Sequence, residues 1–320
     1  MMVRFTKLRR AIAAALLVST ALLGAPAYGE PLGDAAPEAA IDSPAKVAPP
    51  PALPELDLAA KEKSEANPGA SDMNKIDLNY IKGYATDTGK ILTSPLRWDS
   101  GDWMKVGLVL GGTSALFLVD KEIKNFAQKN KSSVSSGLAD IGNAIGEPMY
   151  IFPAVGAAYL YGSLTDNPKL RRVSLLSLES LTISGAITMG LKTVAGRHRP
   201  LTGALPMNWH GPTNEGGWDS FSSGHTSNAF AVATVVANEY KGKPYVAPIA
   251  YGLATLTALA RIYDNKHWAS DTFFGAALGH LVSKAVLSYH KEDKSKLAKK
   301  VSIMPRVGKE MTGVTVSYKL

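Results

Sequence analysis

The sequence contains no cysteine among its 320 residues. Disulfide bonds, thiolate metal sites and cysteine nucleophiles are therefore excluded. Acidic residues are also fewer than basic ones, 27 against 35, and the formal net charge is +8. Such a balance suits anionic partners: phosphate esters, acidic lipid headgroups or nucleic acid. No nucleic-acid-binding module is recognisable, so we expect no nucleic-acid partner.

Long uncharged apolar runs are lacking beyond the N-terminus. A membrane-spanning helix needs about 20 predominantly apolar residues. Trp103–Val119 and Leu175–Leu191 are shorter than that, and each contains a charged residue, Lys105 and Glu179 respectively. The mean hydropathy is about zero. We therefore favour a bundle that is soluble or rests on a membrane surface, with integral membrane association as the alternative.

The distribution of basic residues supports the same preference. Lys192 is predicted at the opposite end of the bundle from the basic residues of 169–172 and 241–243. If the N-terminus is exported and every long helix crosses, the positive-inside rule is violated. A fully spanning core is therefore inconsistent with export unless one helix does not cross.

Residues 1–29 have the features of a secretory signal peptide. Four basic residues precede the apolar stretch Ala11–Gly24, and small residues at 25–29 offer cleavage sites. An uncleaved anchor is the alternative. We expect the protein to be exported to the periplasm or cell envelope.

Four further segments follow from composition. Residues 30–71 are rich in Pro and Ala and predict a disordered linker. Residues 72–100 predict an amphipathic helix, Met73–Gly89, and a connector. Residues 101–290 predict the functional domain. Residues 291–320 form a basic tail, whose alternating end predicts a short strand or hairpin.

The functional domain is predicted to be an all-α helical bundle. The apolar stretches have the lengths of helices, and no convincing run of strands appears among them. The predicted helices are Trp103–Phe126, Ser136–Ile145, Pro148–Leu164, Leu170–Ala195, His225–Lys241, Pro244–Ile262 and His267–Tyr289.

The first cluster of residues that could take part in a reaction contains Lys192 and Arg199. These residues are seven apart and would share one face of a helix, which Pro200 then ends. Taken alone, such a pair is typical of a cationic helix C-terminus.

The second cluster is the segment 220–226, Ser-Phe-Ser-Ser-Gly-His-Thr. Its serines predict a helix N-cap, and Gly224 leaves backbone N–H groups free for an anion. His225 follows in the first turn. Taken alone, the segment need be no more than a cap.

The third cluster joins Arg261, His267 and Asp271. The spacing of His267 and Asp271 places an imidazole and a carboxylate on one helical face, where the carboxylate can fix the tautomer of the ring. Taken alone, this is an ordinary surface pair.

Considered together, the clusters indicate phosphoryl transfer. Each falls at a predicted helix end, and in an antiparallel bundle these ends can meet. They would supply cations, N–H donors, two histidines and a carboxylate, which are the groups that phosphoryl transfer requires.

The motifs Lys-x6-Arg-Pro (192–200), Ser-Gly-His (223–225) and Arg-x5-His-x3-Asp (261–271) resemble those of the type 2 phosphatidic acid phosphatase superfamily. That superfamily also includes bacterial non-specific acid phosphatases and vanadium haloperoxidases. Two positions depart from the pattern: Ser222 stands where proline is usual, and Ala260 where serine is frequent. Neither change removes a reacting group.

The resemblance implies a role for each motif residue. His267 would be the nucleophile, Asp271 would orient it, and His225 would protonate the leaving oxygen and then activate water. The implied phosphate-binding residues are Lys192, Arg199, Arg261, Ser223 and Gly224. No metal or other cofactor is implied. The use of two histidines in opposite protonation states predicts a bell-shaped pH profile.

Three functions remain open at this point. The first is a phosphatase acting on a phosphomonoester or diphosphate, plausibly of a lipid. The second is a haloperoxidase, in which the same residues would hold vanadate. The third is a catalytically inert envelope protein.

Overall fold

The computed structural model describes residues 75–76, 78–290, 301–307 and 312–318. The predicted signal peptide and linker, residues 1–29 and 30–71, lie outside this range. In the described part of the chain, the expected helical bundle is confirmed. Its nine α-helices are α1 Leu78–Leu92, α2 Ser100–Phe117, α3 Asp120–Lys129, α4 Ser133–Gly146, α5 Pro148–Leu164, α6 Pro168–Ala195, α7 Gly224–Glu239, α8 Val246–Tyr263 and α9 Ala269–Tyr289.

Two strands follow the bundle. β1 (Val301–Val307) and β2 (Thr312–Tyr318) pair antiparallel, with Val301 opposite Tyr318. They fall within the tail for which the sequence predicts a strand or hairpin.

Helix α7 packs against α6, α8 and α9. Its Val235 is fully buried, as are Leu181 of α6 and Val286 of α9. Glycine permits the closest approach: a Cβ at Gly279 of α9 would lie 2.2 Å from the Ser227 carbonyl oxygen of α7. The small residues of the sequence are therefore used to bring helix backbones together.

The single helix predicted over Trp103–Phe126 is wrong, because the chain bends there. Helices α2 and α3 meet at 60° on either side of Leu118 and Val119. The first residue of α3, Asp120, is fully buried and binds Arg197. The bend directs the start of α3 inward, where the Asp120 carboxylate can reach Arg197.

Helix α1 begins later than predicted, at Leu78, and ends at Leu92. Two of its tyrosines anchor it on α6. The Tyr84 hydroxyl donates to Thr182 Oγ1 at 2.6 Å, and the Tyr80 hydroxyl donates to the Leu175 carbonyl at 3.3 Å.

A buried ionic cluster joins α1, α6 and the end of α9. His290 Nε2 lies 3.0 Å from Glu179 Oε2 and 3.3 Å from Asp87 Oδ2, and all three residues are buried. These are also three residue types that bind metal ions, with ligand atoms within 4.8 Å of one another. The contacts among these three side chains tie three helices together.

Among the described residues, two helices, α6 and α8, are long and apolar enough to cross a membrane, and the bent pair α2–α3 would make a third if it is one span. Of the apolar window in α8, only 22% is buried, so most of it faces outward. Helix α6 is longer than the apolar stretch Leu175–Leu191 that it contains. These helices indicate that the protein associates with a membrane, as one of the sequence-based alternatives expects.

Candidate active site

Three segments meet at one end of the bundle: the end of α6 with the loop after it, the start of α7, and the turn between α8 and α9. Three contacts join them. Lys192 Nζ donates to the Asp219 carbonyl, the Ser223 N–H donates to the Asp271 carbonyl at 3.1 Å, and His267 Nδ1 lies 2.7 Å from the Ser220 carbonyl. The residues of all three sequence motifs are thereby gathered around one place.

The cations Lys192 and Arg199 are close together, but they do not share a helix face as predicted. Helix α6 ends at Ala195, and Gly196 then adopts a left-handed conformation with φ of 52°. A Cβ at Gly196 would lie 2.0 Å from the Gly211 carbonyl oxygen, so the reversal depends on glycine. Arg199 returns to Lys192 through this reversal and the extended segment that follows it.

Both cations are engaged by Asp219. Arg199 makes a bidentate pair with its carboxylate, Nε to Oδ1 at 2.7 Å and Nη2 to Oδ2 at 2.5 Å. Burial alone raises the pKa of Asp219, but Arg199 and Lys192 outweigh it and lower that pKa below its ordinary value. Asp219 therefore stays ionised and partly neutralises the cations.

The start of α7 supplies backbone donors. Ser223 is its N-cap and Gly224 its first residue, as the sequence predicts for a cap at this point. A Cβ at Gly275 of α9 would lie 2.5 Å from the Ser223 carbonyl oxygen, so α9 holds this cap closely. Free N–H groups at such a terminus favour an anion.

His225, in the first turn of α7, is held by a residue that the motifs do not include. Its Nε2 lies 2.8 Å from Glu147 Oε2. Glu147 joins α4 to α5, and the preceding Gly146 is packed so closely that a Cβ would lie 2.6 Å from the His225 carbonyl oxygen. This close packing brings Glu147 within reach of the ring.

Arg261 lies in the last turn of α8 and is also anchored from α4. Its Nη1 donates to Asn143 Oδ1 at 2.8 Å, and Asn143 Nδ2 in turn donates to Asp264 Oδ2 at 2.6 Å. Arg261 is within electrostatic range of Arg199, so the predicted cations act on one region.

His267 precedes α9, which begins only at Ala269, so the predicted arrangement of His267 and Asp271 on one helical face is wrong. The ring is 2% exposed, and its Nδ1 lies 3.7 Å from Asp271 Oδ2, too far for a hydrogen bond. Its hydrogen-bond partner is the Ser220 carbonyl. Because a carbonyl only accepts, Nδ1 carries the proton and Nε2 keeps its lone pair.

Both histidines are neutral at pH 7 in this structure. Burial, with Lys192 and Arg199, lowers the pKa of His267 to about 3 despite the opposing effect of Asp271. Burial and Arg261, with Lys192, lower the pKa of His225 to about 4, although Glu147 raises it. A neutral imidazole with a free Nε2 is the form that can act as a nucleophile.

Besides its direct electrostatic effect on His267, Asp271 is hydrogen-bonded to the segments on either side of that ring. Its Oδ2 accepts from the Ser220 hydroxyl at 2.6 Å and from the Trp268 N–H at 2.8 Å, so it fixes both segments that flank the ring. Burial alone raises the pKa of Asp271, and His267, Arg197 and Ser220 together lower it below its ordinary value. The carboxylate is therefore ionised.

Arg197 holds the Asp271 carboxylate in place. The guanidinium is fully buried and donates to Asp271 Oδ1 at 2.5 Å and to Asp120 Oδ2 at 2.8 Å. It also donates to Ser270 Oγ and twice to the Pro206 carbonyl. All five N–H donors are thus used, and the position of the motif carboxylate is fixed.

The comparisons with known proteins agree with the motifs. Residues 174–295 match the family model "PAP2 superfamily". They therefore form a domain of the PAP2 superfamily. Over 67 residues the chain is 45% identical to a lipid A 1-phosphatase of Porphyromonas gingivalis, a match that covers 21% of this chain and 15% of that protein. The match thus spans less than a sixth of the relative.

Two solved structures are similar at lower identity. LpxE of Aquifex aeolicus is 22% identical with a TM-score of 0.43, and covers 52% of this chain and 94% of its own. A transmembrane PAP2-type phosphatidylglycerolphosphate phosphatase of Bacillus subtilis is 16% identical with a TM-score of 0.41, and covers 66% of this chain and 94% of its own.

Proposed function

We propose that the protein is a metal-independent phosphatase that hydrolyses a phosphorylated lipid through a phosphohistidine intermediate on His267. One observation carries this proposal. A buried, neutral imidazole with its Nδ1–H bonded to the Ser220 carbonyl lies within electrostatic range of Lys192 and Arg199. A nucleophile facing fixed cations is the arrangement that phosphoryl transfer needs.

In the first step, Lys192, Arg199 and Arg261 bind the phosphate oxygens with the N–H groups at the start of α7. His267 Nε2 attacks phosphorus, and the bond to the leaving oxygen breaks. His225 gives its proton to that oxygen, which is worth about 10²–10⁴ in rate.

In the second step, water attacks the phosphohistidine. Neutral His225 accepts a proton from the water, the nitrogen–phosphorus bond breaks, and orthophosphate leaves. His267 returns to its neutral form with Nδ1 protonated, and His225 is again protonated for the next cycle.

This cycle requires a protonated His225, which burial of the ring and the neighbouring cations disfavour. The cations Arg261 and Lys192 are among the causes of the low pKa of His225. A bound phosphate dianion would offset these charges and leave the influence of Glu147 in place. We infer that substrate binding raises the pKa of His225, so that the substrate helps to create its own proton donor.

A lipid substrate is supported by two observations. The relative with 45% local identity is a lipid A 1-phosphatase, and two described helices are apolar enough to cross a membrane. The export signal expected in residues 1–29 leads us to infer that the reaction takes place outside the cytoplasm. Phosphatidate, an isoprenyl diphosphate and a lipid A phosphate are the candidate substrates.

Substitution of the two histidines tests the mechanism. We expect His267→Ala to abolish turnover and covalent labelling by ³²P-phosphorylated substrate, because no nucleophile remains. We expect His225→Ala to slow turnover by about 10²–10⁴ while still binding phosphate. Turnover is measured on phosphatidate, undecaprenyl diphosphate, lipid A and p-nitrophenyl phosphate, with both membrane and soluble fractions.

His210→Ala is the matched control, since His210 is an exposed histidine and should leave the rate unchanged. Labelling that persists in His267→Ala would refute the nucleophile. Turnover that is lost in EDTA would refute metal independence. Halide oxidation that depends on added vanadate would identify a haloperoxidase instead.

A further inference from the structure

A buried cluster away from the active site, formed by Asp87, Glu179 and His290, takes no part in the proposed reaction. Asp87 belongs to α1, Glu179 to α6, and His290 directly follows α9. Glu179 precedes Lys192 by thirteen residues on α6, a separation of roughly 20 Å along the helix. Any role of this cluster is therefore separate from phosphoryl transfer.

The two carboxylates of the cluster are buried with little positive charge beside them. Asp87 is 5% exposed and Glu179 is 0% exposed. Lys90 donates to Asp87 Oδ1 at 2.8 Å, but no lysine or arginine among the described residues pairs with Glu179. Carboxylates buried in this way are paired or bound to a metal ion. A further positive charge is therefore needed, and it is either a bound cation or a proton on His290.

Three atoms of the cluster converge as ligands do around a metal ion. His290 Nε2 lies 3.0 Å from Glu179 Oε2 and 3.3 Å from Asp87 Oδ2. A single N–H group at Nε2 cannot direct its hydrogen at both oxygens. Ligands bound at about 2.0–2.2 Å around a tetrahedral zinc ion are roughly 3.3–3.6 Å apart. The spacing of the cluster is thus close to that of a zinc site.

A fourth ligand atom is available on Glu179. Its second oxygen, Oε1, is buried and has no hydrogen-bond partner among the residues that the structure describes. A buried polar atom without a partner costs free energy. An ion bound by both oxygens of Glu179 would remove that cost, whereas the second oxygen of Asp87 is already taken by Lys90.

Helix α1 has little apolar contact to hold it on the bundle. Among those of its residues whose burial is described, only Asp87 and Ile91 are buried, and Ile91 alone is apolar. Its other anchors on α6 are the hydrogen bonds of Tyr80 and Tyr84. An ion bound within the cluster would join α1 to α6 and to the end of α9.

We propose that Asp87, Glu179 and His290 bind one divalent cation of the zinc class, which fixes α1 on the bundle. One imidazole nitrogen with carboxylate oxygens suits Zn²⁺, whereas Mg²⁺ and Ca²⁺ take oxygen ligands. The chain has no cysteine, so thiolates do not compete for the ion. The ion is structural, and the proposed phosphatase reaction remains metal-independent.

The test uses the full chain in detergent, without a polyhistidine tag, after dialysis against EDTA. We expect the chain reloaded with Zn²⁺ to retain about one ion after desalting. Zinc at 100 times its dissociation constant should raise the midpoint of thermal unfolding by roughly 5–10 °C. Co²⁺ in its place should give the visible absorption bands of a four-coordinate site, and Zn²⁺ should abolish them.

Glu179→Gln keeps the shape of the side chain and should abolish both zinc retention and the shift of the midpoint. Glu239→Gln is the matched control, because Glu239 pairs with Arg172, which also donates to the His290 carbonyl. His267→Ala should retain zinc, because it leaves the cluster intact. If Glu179→Gln does not fold, the Co²⁺ spectrum of the unchanged chain decides the question.

A chain that retains no zinc and shows no shift of the midpoint would overturn the proposal and assign the missing charge to a proton on His290. Zinc retention that is lost in His267→Ala but kept in Glu179→Gln would place the ion in the active site and overturn it as well. These measurements need no substrate, so their outcome is independent of the phosphatase function. EDTA should lower the midpoint without stopping turnover of the folded chain.

Discussion

The chemistry of this site depends on single side chains. Among them, Glu147 has an effect on the pKa of His225 that can be tested by itself. It contacts His225 at 2.8 Å and raises the pKa of that ring against the effects of burial and Arg261. A carboxylate placed in this way holds the imidazole in one orientation and favours its protonated form. Glu147 is thus a positioning residue for the proposed proton donor.

Replacing Glu147 by Gln should lower the pKa of His225 further, because the negative charge is removed while the shape is kept. We expect the alkaline limb of the kcat–pH profile to move to lower pH, and kcat at neutral pH to fall by roughly tenfold, part of the factor that proton transfer supplies. The fall should be larger for alkyl phosphates than for p-nitrophenyl phosphate, whose leaving group needs less protonation.

Glu239→Gln is the control for this substitution. Glu239 pairs with Arg172, belongs to none of the three motifs and does not contact His225. An equal loss on both substrates with an unmoved pH profile would show that Glu147 has only a structural role.

At the scale of elements, the packing of α9 on α7 determines whether the site can form. Gly279 is the closest point, with no space for a Cβ against the Ser227 carbonyl. We expect Gly279→Ala to destabilise the protein by about 1–3 kcal/mol, because overpacking forces two backbones apart. Thermal unfolding in detergent measures the change.

Gly252→Ala is the matched control for that measurement. Gly252 lies within α8 and is exposed, and a Cβ added to it would meet nothing within 4 Å. There alanine should stabilise the helix by about 0.5–1 kcal/mol. If both alanine variants stabilise the protein, the contact at Gly279 does not limit the approach of α9 to α7.

The same scale explains what the sequence could and could not predict. The lengths of the apolar stretches identified the helices of the core, because a buried helix is apolar over most of its length. The same stretches misplaced the helix ends at which the chemistry occurs. Arg199 and His267 were assigned to helices, but lie in the irregular segments after α6 and before α9. Those segments are fixed by tertiary contacts and not by local propensity.

Residues that support the motifs from distant parts of the chain were missed for a related reason. Asp120 is 77 residues from its partner Arg197, and Glu147 is 78 residues from His225. No local spacing joins such pairs. A signal was nevertheless present for Arg197, a charged residue inside the first motif with no assigned role.

For the whole molecule, buried neutral histidines predict sensitivity to acid. The pKa values of His225 and His267, about 4 and about 3, are lower than their unfolded value near 6.5. The unfolded chain therefore binds more protons below pH 6.5. Stability should be complete above that pH and decline as the pH falls toward 3, by up to about 1.4 kcal/mol per pH unit for each histidine.

Unfolding followed between pH 8 and pH 4 measures this decline. His225→Gln should reduce its slope by the contribution of one proton, whereas the exposed His210→Gln should not. A stability that is constant between pH 7 and pH 4 would contradict the neutral, buried state of these rings.

The bidentate pair of Arg199 with Asp219 has a consequence for turnover. Arg199 is already paired with a carboxylate, so phosphate reaches this cation by exchange with Asp219. When the ester has been cleaved, the carboxylate can return to Arg199 as orthophosphate departs. We expect a site built in this way to resist inhibition by its own product.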